Sequence, residues 1–198
     1  MTVAEPITLN QESENQELAR ALRRRDTEVL DRLIERYQYR LLRYLTTLTR
    51  DRPTAEDLFQ ETWIRVVERG GQYNGRHRFE AWLFAIARNL AIDRIRQQKV
   101  SIGWDEWADE VSGEKSIPTA ARTAAPLEDF MQNEQRTHIQ QALNELPAGY
   151  REVLVLRFLE ELALEEISGV IHAPLSTVKS RIYRGLDLLR EKMEGAVL

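Results

Sequence analysis

The chain has 198 residues, room for one large domain or two small ones. It is 42% hydrophobic and 30% charged, which supports small cores under a heavily charged surface. With no cysteine, it excludes disulfides, thiolate metal sites, a cysteine nucleophile and a thiol redox switch. The three histidines are scattered and no catalytic group converges with them, so the expectation is a non-enzyme with no cofactor and no metal. No apolar run is long enough to cross a bilayer, and the polar, acidic opening lacks a signal-peptide pattern. A cytoplasmic protein without membrane insertion is therefore expected.

The formal net charge is −4. Autonomous DNA-binding domains are usually basic, so this counts mildly against one. The charge is segregated, however. One basic stretch carries Arg76, Arg78, Arg88, Arg94, Arg96 and Lys99; a second carries Lys179, Arg181, Arg184, Arg190 and Lys192. Between them lies an acidic middle with Asp105, Glu106, Asp109, Glu110 and Glu114.

In chain order, residues up to about Gln16 read as a loose tail, followed by a helical pattern through Leu18, Ala19 and Leu22. A second helix is predicted from about Thr27 to Leu48, with Leu30, Leu33, Tyr37, Leu41, Tyr44 and Leu45 on one broad stripe. Asp51 and Pro53 mark a new helix start, and that third helix runs to Gly70-Gly71. A loop, Gln72 to Arg78, leads into a fourth helix from Phe79 to about Gln98. From Lys99 to Pro126 the pattern collapses into Gly, Pro, Ser, Ala and acids, the mark of a linker. Trp104 and Trp107 are unusual in such a segment and could dock on a partner. A second helical block follows, with helices predicted near 127–145, 147–161, 164–171 and 175–193. The fold class is thus all-α: two small helical domains, 17–98 and 127–194, joined by an acidic linker over 99–126.

Leu162 to Met193 has the layout of a helix-turn-helix. Leu164, Ile167, Val170 and Ile171 give its first helix a buried side; His172 and Ala173 form the turn; Val178, Ile182, Leu186 and Leu189 face inward on the second. Ser176, Thr177, Lys179, Ser180, Arg181 and Arg184 are left facing outward. Hydroxyls at a helix start reach phosphates or bases, and Lys and Arg neutralise backbone charge. A solvated amphipathic helix would show a similar pattern, but the strongly apolar helix before it, Leu146 to Glu161, supplies a support that a bare surface helix does not require.

On Leu146-Pro147, Arg151-Glu152-Val153, Leu156-Arg157, Glu166-Ile167 and Thr177 to Arg181, the segment from Leu143 to Lys192 resembles region four of bacterial sigma factors, which reads the −35 promoter element. Ala163 stands where that family usually has a capping Ser or Thr, so a weaker cap is expected. Ser168 replaces a usual Ala. His172 stands where a turn Gly is common, and a left-handed backbone there would carry strain.

A helix-turn-helix also occurs in ordinary regulators, including response-regulator output domains, and the amino-terminal half decides between the readings. Thr54 to Trp63 resembles the polymerase-binding helix of sigma region two. The resemblance implies that Asp57, Gln60, Glu61 and Ile64 contact core RNA polymerase, a complex whose β and β′ subunits are the expected partners. Tyr73 to Arg96 resembles the promoter-melting, −10-reading segment, and Arg and Lys beside aromatic groups suit single-stranded DNA. By that resemblance Tyr73, Asn74, Arg76, His77 and Arg78 belong to a loop that cups a flipped base. Asn89 and Asp93 face bases, and Arg88, Arg94 and Arg96 hold phosphates. Arg88 could instead pair with an acid on a neighbouring helix. The whole is similar to the extracytoplasmic-function sigma factors, which implies promoter DNA and an inhibitory anti-sigma factor as further partners. The acidic linker would then follow a path through basic channels of the polymerase. Two rivals stay open here: a helix-turn-helix regulator acting without polymerase, and a helical adaptor without DNA contact.

Overall fold

A computed structural model describes residues 7–102 and 139–195. Among them every regular element is helical. The first four helices are α1 (Ile7–Arg23), α2 (Thr27–Thr49), α3 (Arg52–Arg69) and α4 (Phe79–Ile102), with a short 3-10 turn, Gly70–Gln72, after α3. The second group is α5 (139–145), α6 (Ala148–Leu154), α7 (Leu164–Ile171) and α8 (Leu175–Gly195). Most of the expected linker, with Trp104, Trp107 and the acids around them, lies outside the described residues.

Local chemistry sets the helix starts. The Asp26 carboxylate accepts from the Val29 N–H and caps α2. The Asp51 carboxylate accepts from the Thr54 N–H at 2.9 Å and caps α3, with Pro53 in its first turn. Hydrogen bonds from Thr54 hold the Asp51 carboxyl below its ordinary value. The apolar stripe of α2 delivers Leu41, Tyr44 and Leu45 to full burial, where the Tyr44 ring meets Phe84 of α4 edge-on at 5.1 Å.

Three expectations need correction. The helix expected near Leu18 begins at Ile7. Its first half is polar, so no apolar stripe announces it, yet Glu and Gln are good helix formers and Arg20 and Arg23 suit its last turn. It also has a tertiary role. Gly75 has φ of 72°, and a Cβ there would lie 2.9 Å from the Asn15 carbonyl oxygen, so α1 presses directly on the loop before α4. The fourth helix reaches Ile102, past its expected end, because Lys99, Val100 and Ser101 add no helix breaker. The helix expected over 147–161 changes pitch. After Leu154 it continues as a π-helical turn, Val155–Leu159, and it ends with Glu161 in the left-handed region at φ of 55°.

The helix-turn-helix forms as expected. Ile167, Val170, Val178 and Ile182 are buried between α7, α8 and α6. Gly185 lets α8 approach α6 closely: a Cβ there would lie 3.2 Å from Leu154. His172 does adopt the left-handed conformation, at φ 52° and ψ 43°. Hydrogen bonds hold it there: the Ala173 N–H donates to the Ser168 carbonyl, and the Ser168 hydroxyl to the Ala173 carbonyl at 2.6 Å. Ser168 thus serves the turn. The cap on α7 is half of a capping box. Glu166 accepts from the Ala163 N–H at 2.8 Å, and Ala163 has no side-chain oxygen to return the bond.

The two helical groups touch. α4 packs on α7 and α2 on α6, and their buried residues form one connected apolar cluster.

Candidate partner and nucleic-acid interfaces

Asp57, Gln60, Glu61 and Ile64 share one face of α3, and the structure brings them together. Asp57 and Gln60 are exposed, Ile64 is 57% exposed, and Leu58 and Val66 behind them are buried. Val67, 41% exposed, extends the same stripe by a turn; the sequence places it on this helix without separating it from its core neighbour Val66. An exposed apolar edge with polar neighbours suits a protein partner. Glu61 is half-buried and already engaged, 3.6 Å from Arg65 and 3.8 Å from Arg94 of α4.

The loop before α4 is built around Tyr73. The resemblance places Tyr73 in a loop that cups a flipped base, and within that loop its ring is turned inward. The ring is 2% exposed and packs on Phe79 and Trp82 at centroid distances of 5.7 and 5.4 Å. Its hydroxyl donates to the His77 carbonyl at 2.7 Å, and burial pushes that hydroxyl well above its ordinary pKa. Tyr73 therefore ties the loop down. Asn74, Arg76 and His77 stand exposed on top, with the Asn74 side-chain oxygen accepting from the Arg76 N–H at 3.0 Å.

The basic residues of this segment divide. Asn89, Asp93 and Arg96 are exposed on one face of α4, at turn-by-turn spacing. Arg78 and Arg88 are committed elsewhere. Arg78 donates to Glu80 at 3.2 Å and to the Glu161 carbonyl at 3.3 Å, and lies 3.9 Å from Glu166. Burial pushes the Glu80 carboxyl up, but its own N–H, the Tyr37 hydroxyl and Arg78 outweigh this and hold it below the ordinary carboxylate value. Arg88 donates to Glu152 of α6 at 2.7 Å, the neighbouring-acid pairing that the sequence left open.

On α8, Ser176, Lys179, Ser180 and Arg184 are exposed and Thr177 is half-buried. Ser180 returns its hydroxyl to the Thr177 carbonyl at 3.0 Å. Arg181 is half-buried, and its guanidinium lies against Gly149 at the start of α6. Tyr183, 69% exposed beside Lys179 and Arg184, was not singled out in the sequence. Its place four residues after Lys179, off the inward positions Val178 and Ile182, was the available signal.

Residues 33–100 match the family Sigma-70 region 2, and residues 136–189 match Sigma-70, region 4. The chain is 36% identical over 143 residues to the ECF RNA polymerase sigma factor SigW of Bacillus subtilis, covering 70% of this chain and 75% of that protein.

The chain belongs to the ECF RNA polymerase sigma factors.

A second relative, the RNA polymerase sigma-H factor of Pseudomonas aeruginosa, is 28% identical over 187 residues, 92% of this chain and 95% of that one. The fold agrees with two solved structures. The sigma factor RpoE in complex with the anti-sigma factor NepR, from Bartonella quintana, has a TM-score of 0.63 at 21% identity, covering 83% of this chain and 96% of that one. CnrH in complex with the cytosolic domain of CnrY has a TM-score of 0.63 at 18% identity, covering 91% and 97%. As a sigma factor the protein is a non-enzymatic polymerase subunit that initiates transcription and binds promoter DNA through region 4. Neither rival from the sequence, the polymerase-free regulator or the adaptor, accounts for both matched regions. No helix among the described residues is long and apolar enough to cross a membrane.

Proposed function

We propose a division of labour among the surfaces just described. The α3 face of Asp57, Gln60, Glu61 and Ile64, extended by Val67, binds core polymerase. The loop of Asn74, Arg76 and His77 with the exposed α4 face of Asn89, Asp93 and Arg96 takes the unpaired −10 strand. Arg78, Arg88 and Arg94 join them as phosphate contacts, and Tyr73 holds the loop in shape from beneath. Ser176, Thr177, Lys179, Ser180 and Arg184 read the −35 major groove, with Arg181 bracing α8 against α6 and Tyr183 at the edge of the contact. The domain boundaries are taken as about 17–98 and 127–194, with α1 adding support to the first.

The observation that carries this reading is the placement of Ser176, Lys179, Ser180 and Arg184 on the exposed face of α8 while Val178 and Ile182 are buried behind them. That is the polarity of a recognition helix. The test is run-off transcription with purified core polymerase on genomic DNA, using the wild type and a Lys179→Ala/Arg184→Ala variant. Discrete start sites are expected with the wild type. The variant should lose them while still binding core polymerase, and undiminished transcripts would overturn the assignment.

Control by an anti-sigma protein in the cytoplasm belongs to the same proposal. Both solved neighbours are described as complexes, one with an anti-sigma factor and one with the cytosolic domain of CnrY. Tyr39 of α2 and Phe158 of the π-helical turn are 74% and 54% exposed, apolar surface of the kind that a partner covers.

A further inference from the structure

The loop from Tyr73 to Arg78 braces itself. The Tyr73 N–H donates to the Gly70 carbonyl at 3.2 Å, the Tyr73 hydroxyl closes on the His77 carbonyl at 2.7 Å, and the Asn74 side-chain oxygen accepts from the Arg76 N–H at 3.0 Å. These bonds fix the internal shape of the loop, so Asn74, Arg76 and His77 stand out of it as a unit. They do not fix where that unit sits on the domain.

That position is set by α1, which runs along the underside of the loop and meets it twice. Near the end of α1, Gly70 backs on Leu22, where an added Cβ would lie 3.2 Å from the Leu22 Cβ and from its carbonyl oxygen. Further back, buried Gly75 meets Asn15 and Gln16, where an added Cβ would lie 2.9 Å from the Asn15 carbonyl oxygen and 3.1 Å from the Gln16 Cα. About 10 Å of helix separates the two contacts. The atoms that Gly75 meets are all backbone, so the contact depends on α1 being helical there and not on its side chains. Ala19 and Leu22 anchor the second half of α1 in the core, whereas residues 12–17 bury no side chain. A polar helical segment of that kind adds little to the core. What it does supply is a wall for the loop to rest on.

We propose that the first half of α1 is a positioning element for −10 recognition. By bearing on Gly75 it sets the height of Asn74, Arg76 and His77, and so sharpens the choice of base in the unpaired strand without touching DNA itself. The proposal rests on the −10 reading given above. Hydrogen bonds weaken steeply with distance and angle, so a loop free to follow whichever base arrives discriminates less than one held in place.

The test uses holoenzyme assembled from the full chain and core polymerase, on a promoter library randomised through the −10 and −35 elements, with the transcripts sequenced. Gln16→Pro breaks α1 at the contact while Ala19 and Leu22 keep the rest anchored. Gly75→Ala pushes the loop away from the other side. Each should lower the preference for the favoured −10 base about tenfold, with the −35 preference and the affinity for core polymerase unchanged. Gln16→Ala, which keeps the helix, should match the wild type. The double variant Gln16→Pro/Gly75→Ala should lose no more than the worse single variant, because both act on one contact. An unchanged −10 preference in Gln16→Pro, an equal loss at the −35 element, or an additive loss in the double variant overturns the proposal.

A second readout needs no DNA. The chain has no native cysteine, so Arg76→Cys carries a single nitroxide on the exposed side of the loop. Its spectral lines should be broad in the otherwise wild-type protein and should narrow in Gln16→Pro and in Gly75→Ala. Unchanged lines overturn the contact itself. Asn74→Ala/His77→Ala separates the proposal from the reading beneath it. If that variant keeps the wild-type −10 preference, the −10 reading fails and the selectivity role of α1 fails with it, although narrowed lines still show the loop resting on α1. If it loses the preference and Gln16→Pro does not, the −10 reading stands and the role of α1 is overturned.

Discussion

The two basic stretches of this chain look alike in sequence and are treated differently by the fold. In the carboxy-terminal stretch, Lys179 and Arg184 project from α8 and enter no ion pair among the described residues, while Arg190 and Lys192 at its far end pair with Asp187 and Glu145. In the amino-terminal stretch, Arg78, Arg88 and Arg94 are paired with Glu80, Glu152 and Glu61. The difference fits the role proposed for each. A duplex groove can be met by a rigid helix that is ready beforehand. An unpaired strand exists only after melting, so its contacts can be occupied by carboxylates until polymerase and DNA replace them.

Substitutions can break that contrast. The largest effect is expected for Lys179→Ala/Arg184→Ala, which removes two proposed DNA contacts at about 1–3 kcal/mol each and should lower promoter-specific transcription on the order of a hundredfold, with core polymerase binding unchanged. Next, Ile64→Ala should weaken core polymerase binding about tenfold while leaving thermal stability within about 0.5 kcal/mol, since the side chain is 57% exposed. A titration of polymerase beside a thermal melt checks both. A smaller effect is expected for His172→Gly, which removes left-handed strain and should stabilise the protein by about 0.5–1 kcal/mol, read as a rise in melting temperature.

The smallest effect is a pH dependence confined to the paired region. The Glu80 carboxyl is held below its ordinary value, so its folded pKa is lower than its unfolded one. Its stabilising contribution is complete above the unfolded value, about 4.3, and is lost as pH falls through the folded value. Acid melts of Glu80→Gln should therefore be flatter in that window than those of the wild type. A steeper acid limb in the variant would remove this role from Glu80.

The sequence announced the helices wherever an apolar stripe had to be buried. The α2 stripe through Tyr37, Leu41 and Tyr44, and the inward positions of α7 and α8, could be read from spacing alone. The first half of α1 could not, because its helix is polar and its packing against Gly75 is made by backbone. The π-helical turn was hidden too, since Val155 to Leu159 fits an ordinary helix. In the site, outward residues such as Asp57, Asn89 and Lys179 were legible from helical phase. The burial of Tyr73 was not legible, because an aromatic beside Arg and Asn suits either a base or a core. Glu152 and Glu160 were missed as partners because an ion pair across more than a hundred residues, as between Arg40 and Glu160, leaves no periodic trace. A glutamate inside the apolar run around Val153 and Leu156 was the one hint.

A prepared −35 reader and a withheld −10 reader would make DNA recognition depend on polymerase. The most direct measurement is binding of the free chain, with and without core polymerase, to a duplex promoter found by run-off transcription, followed by anisotropy and footprinting. Weak binding alone, and sequence-specific protection of both elements with core polymerase, is the expected result. Tight, sequence-specific binding of both elements by the free chain would contradict it.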